Sequence, residues 1–292
     1  MAGLAAAFGS GAMTNSIADI EDAGCIFVIG SNTTACHPLI ARRIYRAKEK
    51  GAKLIVADPR HIQLSRFADV AVQLRLGSDV ALLNGMMHLI IRNGWQDKDY
   101  IDRRTEDYET LEKLLQSYTP ENVQAVTGVD PTELEKLTEL YATHPPAALL
   151  YAMGITQHTT GVDNVKSCCN LAMLCGNVGV AGGGVNPLRG QNNVQGSADM
   201  GVQPHQGAGY LDITKKEINE RYNEFYGVKV PSEIGYKIPE MFEAALDGKL
   251  KAIWIIGEDV VQTDPNTQKV IKSLEATDLV IVQELFMTET AK

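Results

Sequence analysis

Three short apolar runs, each ending at a glycine and leading into a helical pattern, constrain this fold most. Cys25–Ile29 closes at Gly30, residues 147–153 close at Gly154, and Ala252–Ile256 closes at Gly257. A run that is apolar on both faces reads as a parallel strand covered by helices on each side. The stretches between supply those helices. A helix is predicted over 38–50, with Leu39, Ile40, Ile44 and Ala47 on its apolar face and Gly51 as its stop. Strands follow over Lys53–Ala57 and 70–74, then a helix over 80–92 capped by Ser78 or Asp79. Residues 97–144 read as charged helices, with Thr119-Pro120 and Asp130-Pro131 as two of the starts. Helices over 162–175, 239–246 and 266–274 and a strand over Leu279–Gln283 complete the pattern. Strands alternating with helices imply an α/β class, with Rossmann-like parallel sheets and helices on both faces.

At 292 residues the chain has room for one large domain or two ordinary ones. Its 45% apolar and 22% charged residues exclude a disordered protein. With 27 Lys and Arg against 36 Asp and Glu, the net charge of −9 argues against a nucleic-acid partner. Two long uncharged runs are broken by Pro145-Pro146 and by Gly and Asn, so no membrane span is expected. Met1-Ala2-Gly3-Leu4 has no basic segment of a secretory signal. The five cysteines form no C-x-x-C pair. They read as small buried residues and not as ligands of zinc or an iron–sulfur cluster. Their pattern suits a reducing, cytoplasmic compartment.

Two of the strand–glycine units copy each other. Gly30-Ser31-Asn32 is followed by a helix and a strand ending at Asp58, and Gly257-Glu258-Asp259 by a helix and a strand ending at Gln283-Glu284. A glycine at a strand's end lets a ligand approach the backbone, and the next helix points its positive end at phosphate. An acid on the neighbouring strand can accept hydrogen bonds from a ribose or a base. Any α/β sheet has such glycines, but the recurrence of Gly-x-Asn/Asp points to two nucleotide half-sites. Neither unit carries G-x-G-x-x-G, which excludes an ordinary NAD fingerprint.

Residues 176–206 are rich in Gly, Asn and Gln and lack regular patterning, the composition of a functional loop. Arg189 is the lone cation in Gly182-Gly183-Gly184-Val185-Asn186-Pro187-Leu188-Arg189-Gly190-Gln191-Asn192-Asn193-Val194-Gln195-Gly196. It reads equally as a bidentate carboxylate binder or as a tie for the loop. Arg189-Gly190-Gln191-Asn192-Asn193-Val194-Gln195-Gly196 resembles the active-site loop of formate dehydrogenase catalytic subunits. These are molybdenum or tungsten enzymes of the dimethyl sulfoxide reductase superfamily. Gly11-Ala12-Met13-Thr14-Asn15, Ala57-Asp58-Pro59-Arg60, Met153-Gly154-Ile155-Thr156-Gln157, Gly257-Glu258-Asp259 and Phe286-Met287-Thr288 match the same family in the same order.

The resemblance implies a bis(molybdopterin guanine dinucleotide) cofactor carrying Mo or W. By motif match, Gly30, Asn32, Asp58, Arg60, Gly77 and Asp79 would contact one nucleotide. Gly257, Glu258, Asp259, Thr263, Asp264 and Gln283 would serve the other, and Gly154, Gln157, Gly190 and Gln191 would lie near the pterins. Arg189 would hold the carboxylate of formate, which loses two electrons and becomes CO2. Residues 1–190 are expected to form one dinucleotide-binding α/β domain and 191–292 part of a second, with an apolar sheet surface exposed.

Two features of the family are missing: the cysteine or selenocysteine metal ligand and the motif for a [4Fe-4S] cluster. The expectation is therefore an internal fragment, inactive alone, with the missing N- and C-terminal parts and an electron-transfer iron–sulfur subunit as partners. A selenocysteine codon read as stop would explain the start, and predicts an in-frame TGA just upstream. Another molybdopterin oxidoreductase such as nitrate reductase, or a non-catalytic nucleotide-binding module, is the alternative reading.

Overall fold

The computed structural model describes residues 2–292. The chain forms two compact units, one ending at Asn192 and the other spanning Asn193–Lys292. In the first, β1 (Cys25–Ile29), β2 (Lys53–Ala57), β3 (Val70–Val72), β4 (Ala147–Tyr151) and β5 (Val185–Pro187) form one sheet in the order β3-β2-β1-β4-β5. Every neighbouring pair is parallel.

The continuous apolar runs explain this sheet. Cys25, Phe27 and Ile29 pack into a core shared with the helices Asp79–Arg92, Pro131–Thr143 and Gly161–Leu174. Ile26 and Val28 point the other way, into a core with Ile44 and Ala47 of the helix Pro38–Glu49. Both faces of β1 are thus dry. Tyr141 meets Phe27 edge-on at 5.9 Å between ring centroids. The charged stretch forms four helices, and Thr119 and Asp130 cap two of them by accepting from the backbone N–H of Asn122 and Thr132. The chain runs outward from β1 through β2 to β3, then returns to β4 on the other side of β1. The crevice between β1 and β4 is therefore the switch point of the sheet, where ligands of open α/β folds bind.

Several expectations shift. The strand expected over 147–153 stops at Tyr151, because Met153–Thr156 turns into a short helix. The strand expected over 70–74 ends at Val72, and Arg75 bonds to the Thr127 carbonyl instead. The loop 176–206 contains the edge strand β5 and a helix, Val194–Asp199. A three-residue strand ending in Pro carries too little pattern to see, and Pro is tolerated only at such an edge. The helices Ala2–Phe8 and Lys216–Tyr226 were likewise not expected. Ser78 occupies the N-cap position, but its hydroxyl donates to the Arg75 carbonyl and does not cap. Cys25, Cys168 and Cys169 are buried as read, whereas Cys36 is exposed.

The second unit holds a small hairpin of β6 (Gln206–Gly207) and β7 (Leu211–Asp212), and a parallel pair of β8 (Ala252–Ile256) and β9 (Leu279–Gln283). Ile255, Val260, Val270 and Phe242 form its core. Only one face of the β8–β9 pair is covered. Trp254, Ile256, Leu279 and Ile281 on the other face are 63%, 60%, 52% and 44% exposed. The expected open apolar sheet surface is present. No helix of the described residues is long and apolar enough to cross a membrane.

Candidate nucleotide cleft and the Arg189 loop

The switch-point crevice is built by two glycines. Gly30 leaves β1 in the left-handed region at φ 58°. Its N–H donates to the Ala57 carbonyl at 3.1 Å, and its carbonyl accepts from the Gly154 N–H at 3.0 Å. A β-carbon on Gly30 would stand 2.7 Å from the Gly154 carbonyl carbon, so the loops after β1 and β4 meet backbone to backbone. The resulting cleft has a volume of about 380 Å³, within the range of small-molecule and cofactor sites.

Two buried carboxylates face into it. Asp58, at the end of β2, donates its N–H to the Val72 carbonyl, and its Oδ1 accepts from the Arg60 N–H at 2.9 Å. The Arg60 guanidinium stays in solvent, its Nε 3.8 Å from that carboxylate. Asp79 opens the helix Asp79–Arg92 and is 4% exposed. Burial pushes its carboxyl above the ordinary range, the Asp58 carboxylate adds to this, and His158 opposes it. Gly77 (φ 77°) has open space where a side chain would be.

Of the residues expected at the first nucleotide and the pterins, the wall of this cleft gathers Gly30, Asn32, Asp58, Arg60, Gly77 and Asp79, together with Gly154 and Gly190. Gln157 and Gln191 are exposed and outside its lining. Ser31, Cys36 and His158 also line it and were not singled out. His158 lies four residues after Gly154 and bonds its carbonyl through Nε2 at 2.8 Å; that spacing was the available signal. Arg189 lies between Leu188 and Gly190, which both line the cleft. Its Nη2 donates to the Gly11 carbonyl at 2.8 Å, and its own carbonyl accepts from His37 Nε2 at 2.8 Å.

The second unit repeats the loop geometry. Gly257 has φ 62°, and its N–H donates to the Gln283 carbonyl at 2.9 Å, as Gly30 does to Ala57. Asn32 (φ −79°, ψ 69°) and Asp259 (φ −96°, ψ 72°) each precede a four-residue helix, Thr33–Cys36 and Val260–Thr263. Thr263 Oγ1 donates to Glu258 Oε1 at 3.1 Å. Burial raises the Asp264 carboxyl, with Glu258 adding to it. Gln283 is exposed at the end of β9. Asp259 has a partner within the chain. Its Oδ1 accepts from the hydroxyl and the N–H of Thr290 at 2.6 and 3.0 Å, and the Thr290 hydroxyl holds its carboxyl below the ordinary range.

The sequence pattern of molybdopterin oxidoreductases matches residues 3–292. The chain belongs to the molybdopterin oxidoreductase family. Among relatives of this molybdopterin oxidoreductase chain, the F420-dependent formate dehydrogenase 1 subunit alpha of Methanococcus maripaludis is 49% identical over 99% of the chain and 43% of that protein. Formate dehydrogenase H of Escherichia coli is 44% identical over 100% of the chain and 41% of that protein. The chain thus spans less than half the length of these relatives. Acetylene hydratase from Pelobacter acetylenicus has a similar structure, with a TM-score of 0.76 and 25% identity over 99% of this chain and 42% of that one.

The cleft residues fit the nucleotide end of a molybdopterin cofactor. Gly30 and Gly77 keep the walls free of side chains, and Asp58 and Asp79 are acceptors suited to the N–H donors of a base. Among the described residues no cluster of three or more His, Cys, Asp or Glu is placed to hold a metal ion.

Proposed function

We propose that this chain is the central part of a formate dehydrogenase catalytic subunit that binds both dinucleotides of a bis(molybdopterin guanine dinucleotide) centre. One observation carries the reading: the switch-point cleft collects the half-site residues from β1, β2 and β4, and the loop after β8 repeats the left-handed glycine and the Asn/Asp backbone conformation of the β1 loop. The identities of 49% and 44% to formate dehydrogenase subunits support formate as the substrate.

In this reading Gly30 and Gly154 let the dinucleotide approach the backbone, and Asp58 and Asp79 accept from the guanine edge. Gly257, Glu258 and Thr263 form the corresponding turn for the second dinucleotide. Arg189 binds and orients the formate carboxylate. The metal centre, Mo or W, supplies a two-electron acceptor when bound; formate yields CO2, one proton and two electrons. A [4Fe-4S] cluster and an iron–sulfur subunit outside this chain carry the electrons away, in the cytoplasm.

The test is the nucleotide content of the purified enzyme after denaturation. One guanine nucleotide per half-site is expected, with loss of the first in the Asp58→Ala, Asp79→Ala double variant. Absence of guanine nucleotide, or adenine in its place, would sink the reading.

A further inference from the structure

The hydrogen bond between His37 and Arg189 joins residues 152 positions apart and ties the nucleotide loop to the loop bearing the arginine. A carbonyl only accepts, so His37 Nε2 carries the proton and donates it. Nδ1 is then a bare lone pair, and it is buried with no hydrogen-bond partner. Leaving such an acceptor unpaired is unfavourable, and the ring nonetheless holds this orientation. A buried orphan of this kind calls for a reason in what the rest of the side chain does. Here the other nitrogen holds the peptide of Arg189.

His37 is well placed to act as a fixed post. It separates the helices Thr33–Cys36 and Pro38–Glu49. Its N–H donates to the Thr33 carbonyl at 2.9 Å, and its carbonyl accepts from Ile40 and Ala41 at 3.0 and 2.9 Å. Pro38 restricts the backbone of His37, the residue before it. The other partner sits just past the end of β5. Upstream of Arg189, the Leu188 N–H is held by the Tyr151 carbonyl at 2.7 Å; downstream, Gly190 is exposed with open space around its α-carbon. The Arg189 peptide lies where the sheet's support ends.

We propose that His37 is a positioning residue for formate binding. Its Nε2–H fixes the Arg189 peptide, and so the point from which the guanidinium reaches the carboxylate. Bidentate capture of a carboxylate needs the guanidinium aimed to within about 10–20°, a tolerance that a peptide free to rotate would exceed. The inference rests on Arg189 as the formate-binding residue. It adds that the nucleotide loop and the substrate arginine are one mechanical unit.

The test uses the complete purified enzyme with His37→Gln, His37→Asn and His37→Phe. Glutamine places an N–H near the imidazole Nε2 position, asparagine reaches only the Nδ1 position, and phenylalanine keeps the ring shape without a donor. The Phe and Asn variants are expected to raise the KM for formate by up to about tenfold, the scale of one net hydrogen bond, with a smaller change in kcat. The inhibition constant of acetate, an unreactive carboxylate, should rise by the same factor. Glutamine should recover most of both losses, and guanine nucleotide content should be equal in all three. An unmoved KM in Phe and Asn, a Gln variant as impaired as Phe, or nucleotide loss parallel to the KM would each overturn the proposal. Arg189→Lys separates the two levels. If it leaves the formate KM unmoved, the reading of Arg189 fails; if it raises KM while His37→Phe does not, only the role of His37 fails.

Discussion

Single residues set the shape and charge of the cleft, and two glycines show how differently a methyl group is tolerated. Gly77→Ala meets only the backbone penalty of a left-handed residue, about 1–2 kcal/mol, since the space beside it is open. Gly30→Ala adds a clash at 2.7 Å with backbone that cannot swing aside, for a total loss of about 2–5 kcal/mol. Denaturant unfolding of the two variants should rank them in that order; equal losses would mean that the contact with Gly154 does not constrain the loop. Asp79 offers a pH-dependent test. In the unfolded chain it titrates near 3.8, and folding raises that value through burial first and the Asp58 carboxylate second. The folded form thus binds the proton more tightly, so ionisation of Asp79 destabilises the fold at neutral pH, and the penalty vanishes below the unfolded value. Asp79→Asn should therefore raise Tm at pH 7, with a gain that shrinks as the pH falls toward 4. A gain constant over that range would show that burial of the charge is not its source.

At the scale of elements, the long apolar runs were readable because each carries its own burial pattern. β1, β2, β8 and β9 fall where the sequence places them, whereas β5 does not, because three residues hold less than two periods of alternation. The helix Lys216–Tyr226 was hidden for a related reason. It is strongly polar overall, and its one periodic face, Ile218, Tyr222, Phe225 and Tyr226, is mostly aromatic and partly exposed, with Asn219 and Tyr222 as its buried residues. The β8–β9 pair has a consequence for behaviour in solution. Trp254 and Ile281 are register partners on the uncovered face. An exposed parallel pair with large apolar side chains is a surface for association. The 292-residue chain should self-associate in size-exclusion chromatography and bind a hydrophobic dye, and Trp254→Lys with Ile281→Lys should reduce both. Unchanged association in the double variant would place the sticky surface elsewhere.

For the whole molecule, the net charge of −9 is compatible with the proposed anionic dinucleotide because its recognition would be local. The cleft relies on backbone and paired polar groups, and the distribution of charge there matters more than the sum. Binding to the native chain stabilises it by mass action. GDP at about 100 times its Kd should add roughly 2.7 kcal/mol, a Tm rise of about 5–10 °C for a domain of this size. Only a transition that includes the first unit should move for the first half-site, and Asp58→Ala should abolish that part of the shift. A Tm indifferent to GDP in the wild-type chain would count against guanine recognition by the cleft.

The α/β class, the principal strands and the repeated Gly-x-Asn/Asp turn were determined by the sequence alone, since strand and helix periods and glycine stops are local properties of a few residues. Tertiary structure alone decided the strand order, and with it the choice of β1 and β4 as walls of the cleft. It decided that Gln157 and Gln191 stay outside that cleft, and that Asp259 turns to Thr290, 31 residues away. It also decided that His37 holds Arg189 across 152 residues. Those contacts depend on how packed elements bring distant segments together, and no periodicity along the chain records which segments will meet.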